Sequence, residues 1–179
     1  MATPPTFTAG SVLTAAQMNA VGLWKITGGT YSGTLLSVSN CFTSDYSNYM
    51  IKLDNVYTPS GVRTIAMQLQ NASPVTSLYF WAGYYSTFGG GFGSANSTTS
   101  GMAYWVPGTA GTYSPMQTQV DVYNPQKSVK TGVTVSGINF DAGYHMGGYQ
   151  DTATSYNGFR IYNTSGDTCN FNWTLYGYR

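Results

Sequence analysis

The chain carries very little charge. Of its 179 residues only 7% are charged, glutamate is absent, and six aspartates nearly balance seven lysines and arginines, which leaves a net charge of +1. This balance argues against nucleic acid as a partner, because neutralising phosphates needs a basic patch. It also gives little repulsion between copies, so we expect a homo-oligomer that buries its strand edges.

Long apolar runs and cysteines are scarce as well. No run of 18 apolar residues occurs and the first residues do not form a secretory signal, so we predict synthesis in the cytoplasm and no membrane span. Cys41 and Cys169 either pair across a sandwich or stay free as small buried groups, and a reducing compartment favours free thiols. Two cysteines and the single His145 do not complete a zinc site without carboxylates. We predict no cofactor and no metal.

Tyrosine and glycine dominate what is present. Sixteen tyrosines and 22 glycines indicate a β-rich chain with many tight turns. Apolar and polar residues alternate from about residue 31 onward, which predicts strands with one packed face. Two hairpins are predicted, one over 49–69 and one that joins strands at 155–162 and 169–178. Further strands are predicted over 76–85, 102–106, 116–123, 129–140 and 144–149. The fold predicted is all-β, an antiparallel β-sandwich of jelly-roll type.

The inner faces of the two hairpins follow from the alternation. In the first, the inward residues are Tyr49, Ile51, Leu53, Ile65, Met67 and Leu69. In the second, they are Phe159, Ile161, Phe171, Trp173 and Leu175.

One short helix is predicted near the amino end, over about residues 14–21. Thr14 is a good N-cap with Gln17 three residues later, and Gly22 is placed to end the helix. A helix of this length is marginal alone, so it must dock on its own body, on a neighbouring copy or on a larger particle. We therefore divide the chain into an amino-terminal arm, residues 1–30, and a β-sandwich body, residues 31–179.

Three phrases carry a family resemblance. They are Phe-Thr-Ala-Gly-Ser-Val-Leu-Thr-Ala-Ala-Gln-Met-Asn at 7–19 with Leu-Trp at 23–24, Cys-Phe-Thr-Ser-Asp-Tyr-Ser-Asn-Tyr-Met-Ile at 41–51, and Trp-Thr-Leu-Tyr-Gly-Tyr at 173–178. The chain resembles small virion structural proteins of tailed bacteriophages, of the tail, fibre or appendage type. The resemblance implies a place in the virion, other virion proteins as partners, and a homotrimer. Virion attachment is then expected from the arm residues Phe7, Leu13, Met18, Leu23 and Trp24.

The unmatched middle of the chain is where binding specificity is expected. Residues 86–101 form a Gly/Ser-rich stretch that we interpret either as a mobile linker or as an adaptable surface loop anchored by Phe88 and Phe92. Aromatic side chains are common in binding surfaces and stack on sugars, so a host cell-surface glycan is a possible partner. Each ring has the alternative of packing inside the sandwich or between copies. The candidate contact residues are Tyr84, Tyr85, Phe88, Phe92, Tyr104, Trp105, Tyr113, Tyr144, His145 and Tyr149.

No catalytic residues are predicted, and we do not expect an enzyme. The lone His145 has no Gly-x-Ser-x-Gly elbow to accompany it. Two other functions stay open. One is a capsid decoration or cement protein that contacts only virion subunits. The other is a polysaccharide-degrading enzyme that uses Asp141 and Asp151, provided that these carboxylates approach each other across a turn at 147–148.

Overall fold

The computed structural model describes residues 9, 10, 12, 22–59, 63–106, 117–139 and 142–178, without the side chains of 63, 99 and 103–106. The regular secondary structure of these residues consists of β-strands, and the helix predicted over 14–21 lies outside them. In chain order the strands are β1 (Trp24–Gly33), β2 (Leu35–Val38), β3 (Asn48–Tyr57), β4 (Arg63–Asn71), β5 (Ser73–Pro74), β6 (Tyr79–Thr87), β7 (Phe92–Thr99), β8 (Met102–Val106), β9 (Gln117–Tyr123), β10 (Val129–Ile138), β11 (Ala142–Thr154), β12 (Gly158–Asn163) and β13 (Cys169–Tyr178).

The strands form two antiparallel sheets. The larger sheet has eight strands in the order β1-β13-β3-β9-β10-β11-β6-β7. The smaller sheet has the order β2-β12-β4, and the short strands β5 and β8 both pair with β4. The predicted all-β class with antiparallel pairing is therefore confirmed.

Both sheets contribute to one apolar core. Ile51 and Leu175 of the larger sheet are buried in the same cluster as Leu69 of the smaller one. The Phe159 and Trp173 rings meet edge to face across the two sheets, with centroids 6.2 Å apart. A hydrogen bond also joins the sheets, since the Leu69 amide donates to the buried Tyr79 hydroxyl at 2.7 Å. The arrangement is sandwich-like.

Both predicted hairpins are wrong in their pairing, although their inner faces are right. Strand β3 pairs with β13 and β9, whereas β4 pairs with β12, β5 and β8. Strands β12 and β13 are likewise in different sheets. Alternation identifies the buried side of a strand. It does not distinguish two strands that pair within one sheet from two strands that face each other across the core from different sheets. The residues predicted to point inward are buried, except that Trp173 is partly exposed and packs against the core.

The Gly/Ser-rich stretch is a hairpin rather than a long loop. β7 pairs with β6 along its whole length, from Phe92 opposite Ser86 to Thr99 opposite Tyr79. Its small residues fit beneath the aromatic rings of β6. A Cβ atom at Gly93, for example, would lie 2.5 Å from the Tyr85 hydroxyl oxygen. The glycine at position 93 therefore reflects the space that the Tyr85 ring leaves.

The sheet body begins at Trp24. β1 pairs with β13 from Trp24 opposite Gly177 to Gly33 opposite Cys169. Residues 24–30, which we assigned to the arm, therefore include part of an edge strand of the larger sheet.

Cys41 and Cys169 are free thiols, which is the alternative that a reducing compartment favours, and both are buried. Burial raises the pKa of the Cys41 thiol to about 12. The Cys41 thiol donates to the Val38 carbonyl at 3.6 Å, and that of Cys169 to the Gly33 carbonyl at 3.4 Å. Both side chains thus serve as packing groups.

Candidate functional site

Aromatic side chains collect on the outer face of the larger sheet, over β11, β6 and β7. Successive residues of a strand point to opposite faces, so Phe80 and Tyr84 of β6 face away from the core while Tyr79 and Tyr85 face it. Pairing then places Tyr84 opposite His145, Tyr149 opposite Phe80, and Phe92 opposite Ser86. We call these five side chains the aromatic patch: Phe80, Tyr84, Phe92, His145 and Tyr149.

Most rings of the aromatic patch are exposed, and they form two stacked groups. Phe92 is 75% exposed, Tyr84 51% and Tyr149 40%. The Tyr84 and Phe92 rings are nearly parallel with centroids 6.0 Å apart, and those of Phe80 and Tyr149 are 5.4 Å apart. Tyr84 also lies 5.9 Å from the His145 ring. Such surfaces offer flat faces that are already ordered before a ligand arrives.

A groove of about 620 Å³ adjoins the aromatic patch and crosses five strands of the larger sheet. Its main side chains form one cross-strand row, because Lys52 is opposite Gln119, Gln119 opposite Ser136, Ser136 opposite His145, and His145 opposite Tyr84. Four strand spacings of about 4.8 Å make this row about 19 Å long. Gly143 leaves the floor open, since a Cβ atom there would have no neighbour within 4 Å. We call this feature the outer groove.

The polar side chains of the outer groove are largely uncommitted. Among the described residues, the side chains of Lys52, Ser136 and Gln117 make no hydrogen bond or ion pair, while the Gln119 side-chain amide donates to Asp121 at 2.8 Å. None of the lining residues is acidic, and Lys52 is the only lysine or arginine among them. The groove therefore offers one cation, several neutral hydrogen-bonding groups and an aromatic wall.

A second depression, of about 470 Å³, lies on the other side of the His145–Tyr84 pair. Ala82 and Gly147 supply little side chain there, and Phe80 and Tyr149 form its aromatic wall. Lys130 sits 5.5 Å from the Tyr149 ring centre and also pairs with Asp151. This end of the face is therefore neutral as well as aromatic.

Four of the predicted contact residues meet on this face, namely Tyr84, Phe92, His145 and Tyr149. Phe88 is exposed in the turn that joins β6 to β7. Tyr104 and Trp105 belong to β8 of the smaller sheet, with side chains outside the described set, and Tyr113 lies outside the described residues.

Two predicted contact residues point inward instead. Tyr85 packs against the core, and Tyr144 is 5% exposed with its hydroxyl 2.6 Å from that of Thr118. Burial raises the pKa of Tyr144 to about 12. Both were predicted as surface contacts, and this is wrong because each has the inward parity of its strand.

The predicted attachment residues are described only in part. Phe7, Leu13 and Met18 lie outside the described residues. Leu23 is exposed just before β1, whereas the Trp24 ring packs on the protein's own core, 5.9 Å from the Tyr46 ring. Of these two, Leu23 is the side chain that is available to another chain.

The turn at 147–148 that the enzyme alternative needs is absent, and Asp141 itself lies outside the described residues. Residues 147–148 are the middle of the continuous strand β11, not a turn. Ala142, next to Asp141 in the chain, is nine residues from Asp151 along that strand, or about 30 Å. Paired glycosidase carboxylates stand about 5–9 Å apart. Ser136 and His145 are cross-strand neighbours, but no hydrogen bond joins their side chains.

Several residues of the site were missed in the sequence. Phe80 has the same parity as Tyr84, and this signal was available. The contributions of Gln119 and Ser136 depend on the order β3-β9-β10-β11-β6, which no local pattern contains. Lys52 was on the outward side of its predicted strand, but nothing in the sequence placed it in line with Tyr84.

Within the described ranges, no three His, Cys, Asp or Glu side chains group as a metal site would require. In the same part of the chain, no helix is long and apolar enough to cross a membrane. No known family matches the chain, and no curated protein matches its sequence.

Proposed function

We propose that the chain is a structural component of a tailed-bacteriophage virion, of the fibre or appendage type. In this proposal the amino-terminal arm attaches the chain to the particle, and the body self-associates and binds the host surface. The observation that carries the binding role is the outer face of the larger sheet, where the aromatic patch and the outer groove form a continuous, exposed and nearly uncharged surface. Soluble proteins rarely leave such clustered rings exposed without a partner.

Self-association is supported by the edges of the larger sheet. The edge strand β7, with sequence Phe-Gly-Ser-Ala-Asn-Ser-Thr-Thr, has no charge and no proline, and no further strand pairs with it among the described residues. Charges and prolines are the usual means of preventing edge pairing, so their absence favours pairing with a second copy. The proposal keeps the homotrimer and the jelly-roll connectivity that were predicted from the sequence.

The oligomer is tested by light scattering with a variant that places two lysines on this edge, Asn96→Lys with Thr98→Lys. Both positions are exposed on the outer face of β7. We expect the wild type to be a multimer and the variant to dissociate. The matched control, Thr164→Lys with Ser165→Lys, adds the same charge in the exposed β12–β13 turn and should leave the mass unchanged. A wild-type monomer at high concentration would contradict the self-association.

The attachment is tested by deleting residues 1–23. The deletion ends before Trp24 because β1 belongs to the sheet. We expect the truncated chain to keep the circular dichroism and thermal unfolding of the full chain and to be lost from particles. Incorporation at the wild-type level would contradict an attachment role for the arm.

Host binding is tested by competition. Excess full-length protein should slow the adsorption of particles that carry it, and a Tyr84→Ala, Phe92→Ala variant should not, because both rings are exposed and contribute little to the core. Immunogold labelling should place the chain at the adsorption apparatus. Labelling over the head, together with no effect on adsorption, would favour the capsid decoration alternative.

A further inference from the structure

We propose that the outer groove is an oligosaccharide site whose ligand carries a carboxylate, with Lys52 as the partner of that carboxylate and Tyr84 as a stacking surface at the opposite end. The proposal rests on the proposed function, in which this sheet faces the host, and adds the chemical class of the ligand.

The shape of the outer groove favours an extended ligand. Lys52 and Tyr84 stand at the two ends of a row that crosses β3, β9, β10, β11 and β6. At about 4.8 Å per strand the row is about 19 Å long, which exceeds a single sugar ring and suits a chain of them. The open floor at Gly143 lets such a chain lie close to the backbone.

The chemistry of the lining favours a saccharide over an apolar ligand. Gln117 and Ser136 present neutral donors and acceptors that no described side chain uses, and His145 adds ring nitrogens that make no hydrogen bond to a described side chain. A saccharide has many hydroxyl groups, and its binding requires several hydrogen-bond donors and acceptors along the groove. Tyr84 adds a flat apolar face, and the exposed Ile138 of β10 adds an apolar group to the lining.

The charge of the lining favours an acidic saccharide. Lys52 is half-buried, has no ion-pair partner among the described residues, and faces a groove that no carboxylate lines. A half-buried cation without a partner is stabilised by an incoming anion more than a fully solvated one is. A nucleic acid would need several such cations to bind its phosphates, so one lysine matches a ligand with sparse negative charge.

The test uses the full chain on an array of bacterial capsular and lipopolysaccharide oligosaccharides that contain uronic acids. Each is printed beside its carboxyl-reduced form, in which the acid is a neutral hydroxymethyl group. We expect the wild type to bind one or more acidic forms, with about tenfold weaker binding after reduction, as loss of one charge-assisted hydrogen bond predicts. Raising the salt concentration should lower the affinity for the acidic ligands and leave the affinity for the reduced forms unchanged.

Variants separate the roles of the two ends. Lys52→Gln should bind an acidic ligand about tenfold more weakly than the wild type does, and its affinity for the reduced form should be almost unchanged. Tyr84→Ala should lower the affinity for the acidic and the reduced form by the same factor. Gly143→Val should block the groove and abolish both, because its side chain enters open space without strain on the core. Lys127→Gln is the matched control, since that lysine is exposed in the turn between β9 and β10, lies outside the lining of the groove and should leave binding unchanged.

The outcomes are distinguishable. Absence of any saccharide binding by the wild type, or equal binding by Lys52→Gln, would overturn this inference. If free protein still competes with particle adsorption in that case, the host-binding function stands and the ligand belongs to another class, such as a surface protein. If neither competition nor saccharide binding occurs, both proposals fail.

Discussion

Replacing Gly177 by alanine should destabilise the protein, although alanine is the better strand residue. Gly177 is buried in β13, and an added Cβ atom would lie 2.6 and 2.7 Å from the two Cδ atoms of the Tyr46 ring. That ring is 2% exposed and is held between Trp24 and Tyr49, each with its centroid 5.9 Å away. It therefore has little room to move.

The magnitude follows from two opposing effects. Glycine in a strand is less favourable than alanine by about 0.5–1 kcal/mol, which by itself predicts a stabilised variant. Insertion of a methyl group into a close-packed site costs about 1–3 kcal/mol. The net loss is about 1–2 kcal/mol, or about 2–8 °C in Tm for a chain of this size.

The assay is urea unfolding followed by tryptophan fluorescence and circular dichroism. Gly143→Ala is the matched control, because Gly143 is also in a strand but has nothing within 4 Å of the added atom. It should raise the unfolding free energy by about 0.5 kcal/mol. A Tyr46→Ala background should remove the cost of Gly177→Ala, with a coupling energy of about 1–3 kcal/mol. Our reasoning is refuted if Gly177→Ala stabilises the protein as the control does, or if its cost persists without the ring.

Three other results are expected. Tyr156→Phe should lower the unfolding free energy by about 1 kcal/mol in urea titrations, because the Tyr156 hydroxyl donates to the buried Gln150 side chain; an unchanged midpoint would contradict this. The stability that these buried groups contribute should be fully present below pH 9 and be lost between pH 9 and 12, since burial raises the pKa of Cys41 from 9.0 to about 12 and that of Tyr144 to about 12, so the unfolded groups ionise first. Cys41→Ala should make that fall smaller without delaying its onset, because burial also raises the pKa of Cys169 to about 11 and its unfolded thiol ionises from the same pH. A flat profile to pH 12 in the wild type would contradict the prediction. Cys41 and Cys169 should react with iodoacetamide only in denaturant, as mass spectrometry would detect, because both are buried.

Strand positions and inner faces could be predicted from the sequence to a large extent. β8 and β13 have the predicted limits, and the buried residues Ile51, Phe159 and Leu175 were all assigned to the core. This succeeds because the period of two is a local property that one buried face imposes on each strand.

Sheet membership could not be predicted in the same way. β12 and β13 follow each other in the chain with matching inner faces, yet they lie on opposite sides of the core. The stretch over 92–99 was missed as a strand because its glycine and serine residues have little intrinsic strand preference, and pairing with β6 is what makes it a strand.

The candidate site shows the same division. Tyr84, Phe92, His145 and Tyr149 were chosen because they are aromatic, and the sheet brings them together. Tyr144 was chosen for the same reason and is in the core. Only parity within the strand separates these cases, and the row that links Lys52 to Tyr84 depends on long-range strand order.

The position of β13 between β1 and β3 has a consequence for biosynthesis. Thr30 of β1 bonds to Asn172 of β13, and these partners are 142 residues apart. While a ribosome still holds the segment 169–178, β1 lacks its neighbour and one side of β3 is unpaired. Such nascent chains expose unpaired strand edges that are prone to aggregation, and contacts between residues so far apart in the sequence form slowly. The larger sheet is therefore completed only after its final strand is released, and chains that stall before that point are candidates for chaperone binding.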